Sequence, residues 1–159
     1  MKTKKFTPYV LILLMAFSIS CSKTENADVE QTTPGPEPDP TESIVYDISA
    51  VNASGVTGTA TLFRNTDGSS TIYIRLQNAE SGKHPAIVHF GSIEAPGDLA
   101  ITLNDCECAV SETVITKFDN GQPISYDDLS SGAFFINIYQ SQADPNNIIA
   151  NTNIGSSAF

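Results

Sequence analysis

The chain contains two histidines, His84 and His89, and imidazole is the side chain most suited to metal binding and proton transfer near neutral pH. Two histidines two residues apart on a strand share a face and can reach one metal ion, but these two are five residues apart and have opposite parity. A copper or zinc site needs three or four ligands, and no carboxylate stands at matching spacing. We therefore expect both histidines to make hydrogen bonds within or beside the folded domain, with a metal or ligand pocket as the alternative.

Cys21 stands where a secretory signal would end. Three lysines precede residue 6, an apolar run follows over residues 10–19, and Ser18 and Ser20 place small side chains before the cysteine. The apolar run is shorter than the about 20 residues that a membrane-spanning helix needs. The ending is similar to the bacterial lipobox, with Ser18 where Leu is commoner, and such looser forms resemble those of Bacteroidetes-type bacteria. The sequence predicts a signal peptide over residues 1–20 and acylation of Cys21, and the alternative is an ordinary signal peptide with a chance cysteine.

Residues 21–43 form the predicted membrane tether. The segment is polar, and residues 34–40 alternate proline with Gly, Glu or Asp, a composition that favours extended polyproline geometry and cannot bury a core. Fully extended, it could hold a domain on the order of 60 Å from the lipid surface. Ser22 follows the cysteine where an aspartate would resemble an inner-membrane retention signal. The expected location is therefore the outer membrane of the cell envelope, on its periplasmic or surface-exposed side.

From Cys21 onward the chain has five basic and 18 acidic residues, a net charge of −13. This charge argues against nucleic acid as a partner and against direct contact with anionic lipid, so the expected membrane contact is the lipid anchor alone. The Gly-x-Ser-x-Gly motif of a nucleophile elbow does not occur in the sequence. We expect no catalytic residue and no cofactor.

Cys106 and Cys108 flank a single glutamate. Two close thiols in an exported protein are expected to be oxidised. In a flat strand their Cβ atoms would stand too far apart, so a disulfide requires a turn or bulge at this point. The sequence predicts a small Cys106–Cys108 loop disulfide. The alternative, a redox-active or metal-binding pair, lacks the usual C-x-x-C spacing.

Residues 44–159 predict one all-β domain. Residues 71–77 alternate apolar and polar side chains, as in a half-buried strand, and residues 65–68 predict the hairpin turn before it. About eight short strands separated by Gly, Pro, Asn and Asp predict an antiparallel Greek-key sandwich or barrel. The expected strands are 45–51, 56–64, 71–77, 86–90, 99–103, 110–118, 133–140 and 148–154. Residues 126–130 predict a helical turn.

Seven segments, taken in order, resemble the CHRD domain, which was first described in chordin. They are GVTGTATL (55–62), TIYIRL (71–76), HPAIVHFGS (84–92), LAITL (99–103), ISYDDL (124–129), FINIYQS (135–141) and IIANTNIG (148–155). The resemblance implies an extracytoplasmic β-sandwich, with a strand arrangement similar to that of copper–zinc superoxide dismutases. In chordin such domains sit in a protein that binds growth factors, whereas the bacterial members have no settled activity.

The chain departs from the family where histidines are expected. Family members typically have His-Pro-Ala-His-Ile-His, and here Ile87 replaces the middle histidine between His84 and His89. The family's Asn-Val-His near the end of the domain becomes Asn137-Ile-Tyr139. The resemblance implies a ligand pocket at His84, His89 and Tyr139, but Tyr139, with a pKa of about 10, is a poor replacement for imidazole as a metal ligand.

The preferred prediction is an envelope-anchored, non-catalytic binding or structural module of unknown ligand. One alternative is a degenerate metal-binding protein of superoxide dismutase type, an oxidoreductase that would lose copper or zinc on His89→Ala. The other is a glycan-binding module with a groove lined by Tyr73, Tyr139 or Phe135. Phe134 and Phe135 are adjacent, so we expect one in the core and one on the outer face of its strand.

Overall fold

The computed structural model describes residues 42–159, so the predicted signal peptide, Cys21 and most of the tether lie outside the described residues. The elements are β1 (Glu42–Ala50), β2 (Thr57–Arg64), β3 (Ser70–Gln77), β4 (Lys83–His84), β5 (Ala86–Gly91), β6 (Pro96–Thr102), β7 (Cys106–Glu107), β8 (Val110–Ile115), α1 (Tyr126–Ser131), β9 (Ala133–Ser141), β10 (Asp144–Gly155) and a 3-10 turn (Ser156–Ala158). The all-β prediction is confirmed, and each expected strand has an observed counterpart. β1 begins two residues before the expected domain start at Ile44.

The strands form one antiparallel sheet that curls into a half-barrel. The strand order is β4-β7-β8-β3-β2-β1-β10-β9-β5-β6. β1 joins the two halves, because residues 42–48 pair with β2 while Ser49 and Ala50 pair with β10. We call β4, β7, β8, β3, β2 and β1 the first arm, and β10, β9, β5 and β6 the second arm.

A single hydrophobic core draws buried side chains from both arms. On β3, Ile72 and Ile74 are at most 1% exposed, while Tyr73 between them lies on the outer face. This alternation follows from the two-residue period of a strand. On β9, Phe134 belongs to the core cluster and Phe135 does not, so the two rings lie on opposite faces, as predicted.

Helix α1 packs against β10 and β2. Ser125 caps it, since its hydroxyl accepts from the Asp128 amide and the Asp128 carboxylate accepts from the Ser125 amide, a complete capping box. Leu129 of α1 is fully buried. Beside it, β10 ends at Gly155, whose φ of +62° is unfavourable for a residue with a side chain, and whose amide donates to Tyr46 Oη at 3.2 Å.

The predicted Cys106–Cys108 disulfide in the β7–β8 hairpin is wrong. The Cys106 thiol is free, and the residue is 0% exposed within the hydrophobic core. Cys108 and Ala109 have φ of +50° and +69°, the sign pattern of a two-residue type I′ turn. The turn that a disulfide requires is therefore present, but it leaves Cys106 facing the core.

We expect the Cys106 thiol to resist alkylation in the folded protein. Burial raises its pKa to about 12, with a smaller contribution from the neighbouring Asp105 carboxylate. At pH 8 only about one thiol in ten thousand would then be a reactive thiolate. Peptide mass spectrometry after iodoacetamide treatment should find Cys106 modified in denaturant and unmodified in its absence, and complete modification of the native protein would contradict this expectation.

Candidate functional site

The outer face of the second arm brings together side chains from β5, β9 and β10. These strands are neighbours in the sheet and each is flanked by a strand on both sides. His89 lies opposite Phe135, which lies opposite Asn153, and Asn137 lies opposite Asn151. We call this surface the amide–aromatic face, consisting of His89, Phe135, Asn137, Tyr139, Asn151 and Asn153.

The Tyr139 hydroxyl is the polar centre of this face. It lies 3.4 Å from His89 Nε2 and accepts from Asn137 Nδ2 at 3.5 Å. Both distances are at the long end of the hydrogen-bond range, so the hydroxyl keeps capacity for a shorter bond to a ligand. The His89 ring stacks on Phe135, with centroids 5.0 Å apart and an angle of 16° between the planes. The structure thus brings two of the three expected pocket residues, His89 and Tyr139, into contact.

His84 is not part of this face, which corrects the expected three-residue pocket. It is 2% exposed, and its Nδ1 lies 2.8 Å from the Gln140 carbonyl oxygen. Its Nε2 lies 2.9 Å from the Glu80 carbonyl oxygen. Because both ring nitrogens lie within hydrogen-bond distance of backbone carbonyls, the His84 imidazole connects β4 and the segment before it to β9. Its role is therefore structural.

Tyr73 also lies apart from the face. It belongs to β3 on the first arm, which three strands separate from β9 along the sheet, and its hydroxyl accepts from Arg75 Nη2 at 3.3 Å. Phe135 lies on the face but is only 3% exposed. Of the residues expected to line a glycan-binding groove, Tyr73, Tyr139 or Phe135, the face therefore holds Tyr139 and Phe135 and leaves Tyr73 out.

Three asparagines of the face were missed by sequence reasoning. Asn137 is 7% exposed, and its only side-chain hydrogen bond within residues 42–159 is the one to Tyr139. Asn151 and Asn153 stand two residues apart on β10, so they project from the same side. That spacing was a usable signal, since two amides at i and i+2 on a strand can serve one ligand.

The strand segments that carry the face contain no charged residue, and a carboxylate reaches its edge from the turn after β5, where Glu94 accepts a hydrogen bond from the Asn153 side chain. β5, β9 and residues 148–155 of β10 include no Asp, Glu, Lys or Arg. By contrast, β1, β2, β3 and β8 of the first arm each carry at least one charged residue. Residues 42–159 have 13 acidic and four basic residues, so the neutral surface occurs in a strongly acidic domain.

His89 is expected to make folding stability depend on pH. Burial lowers its pKa below the ordinary value, outweighing an opposing hydrogen bond with the Gly97 backbone. In the unfolded chain the pKa returns to about 6.5, so below that pH the unfolded state binds the proton more readily. The free energy of unfolding should therefore fall as the pH is lowered from about 7.5 through the folded-state pKa.

Urea titrations at pH 7.5 and 5.5 check this expectation. The His89→Gln variant should lose less stability between the two pH values than the wild-type protein, because glutamine does not titrate. The same loss in both proteins would contradict a depressed pKa at His89. Carboxylates with lowered pKa values, such as Asp128, lose their contribution to the free energy of unfolding only at more acidic pH. They therefore do not affect the comparison between pH 7.5 and 5.5.

Groups of metal ligands, membrane-spanning helices and clefts are other features of residues 42–159 that could mark a site. No three or more His, Cys, Asp or Glu side chains in this part of the chain are grouped so as to hold a metal ion. None of its helices is long and apolar enough to cross a membrane. One cleft of about 410 Å³ lies between β6 and β8, and another of about 330 Å³ lies between β1, β10 and the C-terminal residues, bordering the amide–aromatic face at Asn153.

Compared with known proteins, the chain has no significant match to a protein-family model, to a curated protein or to a solved structure.

Proposed function

We propose that this protein is a lipid-anchored, non-catalytic binding module of the cell envelope, and that the amide–aromatic face is its contact surface. The CHRD resemblance is part of the proposal, because it implies a β-sandwich that works outside the cytoplasm. The proposal takes Cys21 as the acylated residue and residues 22–41 as the spacer. β1 starts at Glu42, immediately after the proline-rich stretch, so the folded domain would stand clear of the lipid surface.

The lack of charge on β5, β9 and residues 148–155 is the observation that carries the proposal. Solubility favours charged residues on exposed sheet faces, and the first arm follows that rule. The amide–aromatic face, whose residues are buried or half-buried, departs from it with amides and aromatic rings instead of charges. Such a patch is depleted in charge and enriched in aromatic residues, as are the centres of recognition surfaces.

The surroundings of His89 favour binding over catalysis. A general base of the triad type needs a nucleophile within hydrogen-bond reach and a third group that orients the ring. Within residues 42–159, the His89 side chain contacts Tyr139, Phe135 and the Gly97 backbone. None of these groups is a carboxylate, serine or thiol, which supports a binding role for His89.

A charge placed on the face tests the proposal. In full-length tagged protein immobilised and exposed to envelope extract, Asn151→Glu should retain less than a tenth of the protein or polysaccharide that the wild type retains, because binding would desolvate an unpaired carboxylate. Thr61→Glu is the matched control, since Thr61 lies opposite Tyr73 and shares its outer face on the first arm. Equal loss in both variants, or retention unaffected by either, would contradict the proposal.

A further inference from the structure

We infer that the ligand of the amide–aromatic face is an uncharged glycan. This inference rests on the proposed function, because it names the ligand class of the same surface. It is carried by the lack of charged residues on the strand segments of the face, by its unused hydrogen-bonding groups and by its half-buried aromatic rings.

Charge is the first reason. Residues 42–159 have nine more acidic than basic side chains, yet β5, β9 and residues 148–155 have none of either sign. An anionic ligand would be repelled by the domain as a whole. A cationic ligand would have to compete for the Glu94 carboxylate at the edge of the face, which already accepts hydrogen bonds from the Ser92 and Asn153 side chains. A neutral ligand is neither repelled by the domain nor dependent on a carboxylate partner.

Unused hydrogen-bonding capacity is the second reason. Asn137 is 93% buried, since it is 7% exposed, and its carbonyl oxygen has no partner within residues 42–159. The Asn151 amide also makes no hydrogen bond within that part of the chain. An amide offers both donors and an acceptor, and each sugar hydroxyl is both donor and acceptor, so the two kinds of group are complementary.

The aromatic residues supply the third element of a sugar site. Tyr139 and His89 are half-buried on the face, and an aromatic ring presents a negative face to the weakly positive C–H groups of a pyranose. Tyr139 combines such a ring with a hydroxyl whose two protein contacts are long, 3.4 and 3.5 Å. It can therefore pack against a sugar ring and bond to one of its hydroxyls.

A peptide partner fits this surface less well. β5 and β9 have strand neighbours on both sides, and β10 pairs with β1 at Ala150 and Asn151, so a peptide could add to the sheet as an extra strand only beyond Asn151. Protein interfaces are dominated by large side chains that anchor in the partner, and Phe135 at the centre of the face is only 3% exposed. Apolar surface is provided beside it by Ile87, opposite Asn137, and by Leu99, which is 44% exposed opposite His89. The centre of the face is thus polar, and its apolar surface lies on β5 and β6.

Native affinity electrophoresis of the full-length protein in mild detergent tests the inference. The gels contain α-glucan, β-glucan, mannan or xylan as neutral probes, or polygalacturonate as the acidic probe. We expect at least one neutral polymer to retard the protein and polygalacturonate not to do so. Tyr139→Ala should weaken the binding of that polymer at least tenfold, and Tyr139→Phe, which keeps the ring, should weaken it less.

Tyr73→Ala is the matched control, because Tyr73 is a strand tyrosine on the outer face of the first arm, and it should bind as the wild type does. Retardation by no neutral polymer, or retardation that survives Tyr139→Ala, would overturn the inference. If an envelope protein is then found whose retention depends on Asn151, the proposed function stands while the glycan is replaced by a peptide ligand. If neither polymer nor protein depends on the face, both fail.

Discussion

Replacing Cys21 by alanine is expected to abolish acylation of the protein and to remove it from the outer-membrane fraction. The predicted acceptor is the single thiol at the end of the signal sequence, and alanine offers no atom for the acyl group. Each buried CH₂ contributes about 0.8 kcal/mol to membrane binding, so two or three acyl chains make release negligible and their loss decisive. The net charge of −13 from residue 21 onward gives the domain no affinity of its own for anionic lipid.

Metabolic labelling with palmitate, followed by membrane fractionation, measures the effect of Cys21→Ala. Cys106→Ala is the control with the same chemical change, and it should keep both the label and the location because Cys106 lies in the core. Palmitate incorporated at the wild-type level into Cys21→Ala would refute the predicted anchor. If Cys106→Ala also lost the palmitate label, the loss in Cys21→Ala could not be assigned to Cys21, which would contradict the predicted anchor.

Gly155→Ala is expected to have the largest effect on stability, about 3 kcal/mol or more. Gly155 has φ of +62° and ψ of −141°, a region that is essentially confined to glycine. A Cβ there would lie 2.1 Å from the Gly132 carbonyl oxygen and 2.6 Å from that of Leu129. The clash falls where β10 meets α1, and the melting temperature should fall by about 10 °C.

Gly121→Ala separates the clash from the backbone strain. Gly121 also has positive φ, +89°, but a Cβ at this turn meets nothing within 4 Å. It should therefore cost only about 1 kcal/mol. Thermal unfolding followed by circular dichroism gives both values. Equal losses in the two variants would show that steric contact at Gly155 does not matter.

The strands were predictable where their side chains alternate over five or more residues. Residues 71–77 alternate cleanly and form β3 with almost the expected bounds, Ser70–Gln77. The two-residue strands β4 and β7 were not predicted, because two residues cannot display a period and their pairing, His84 opposite Cys106, joins distant parts of the chain. Residues 144–147 resemble a turn in composition but begin β10, where irregular register against β9 accommodates them.

The site was predictable only in part. Its residues come from three strands, and the sequence does not show which positions of these strands lie opposite one another. His89 and Tyr139 were singled out through the family resemblance, and they do meet. His84 was grouped with them, yet its ring faces the Gln140 carbonyl, 56 residues away, a contact that depends on how β4 and β9 are placed. The type I′ turn at Cys108 was likewise not predictable from the sequence, because neither Cys nor Ala is a usual residue for positive φ.

Photo-crosslinking in intact cells tests the proposed contact surface most directly. A photoreactive aromatic side chain is placed at position 139 on the amide–aromatic face, or at position 73 on the outer face of the first arm, in the full-length acylated protein. The proposal predicts a discrete adduct from position 139, containing carbohydrate if the ligand is a glycan, and none from position 73. Adducts from position 73 alone, equal adducts from both positions, or none from position 139 would contradict it.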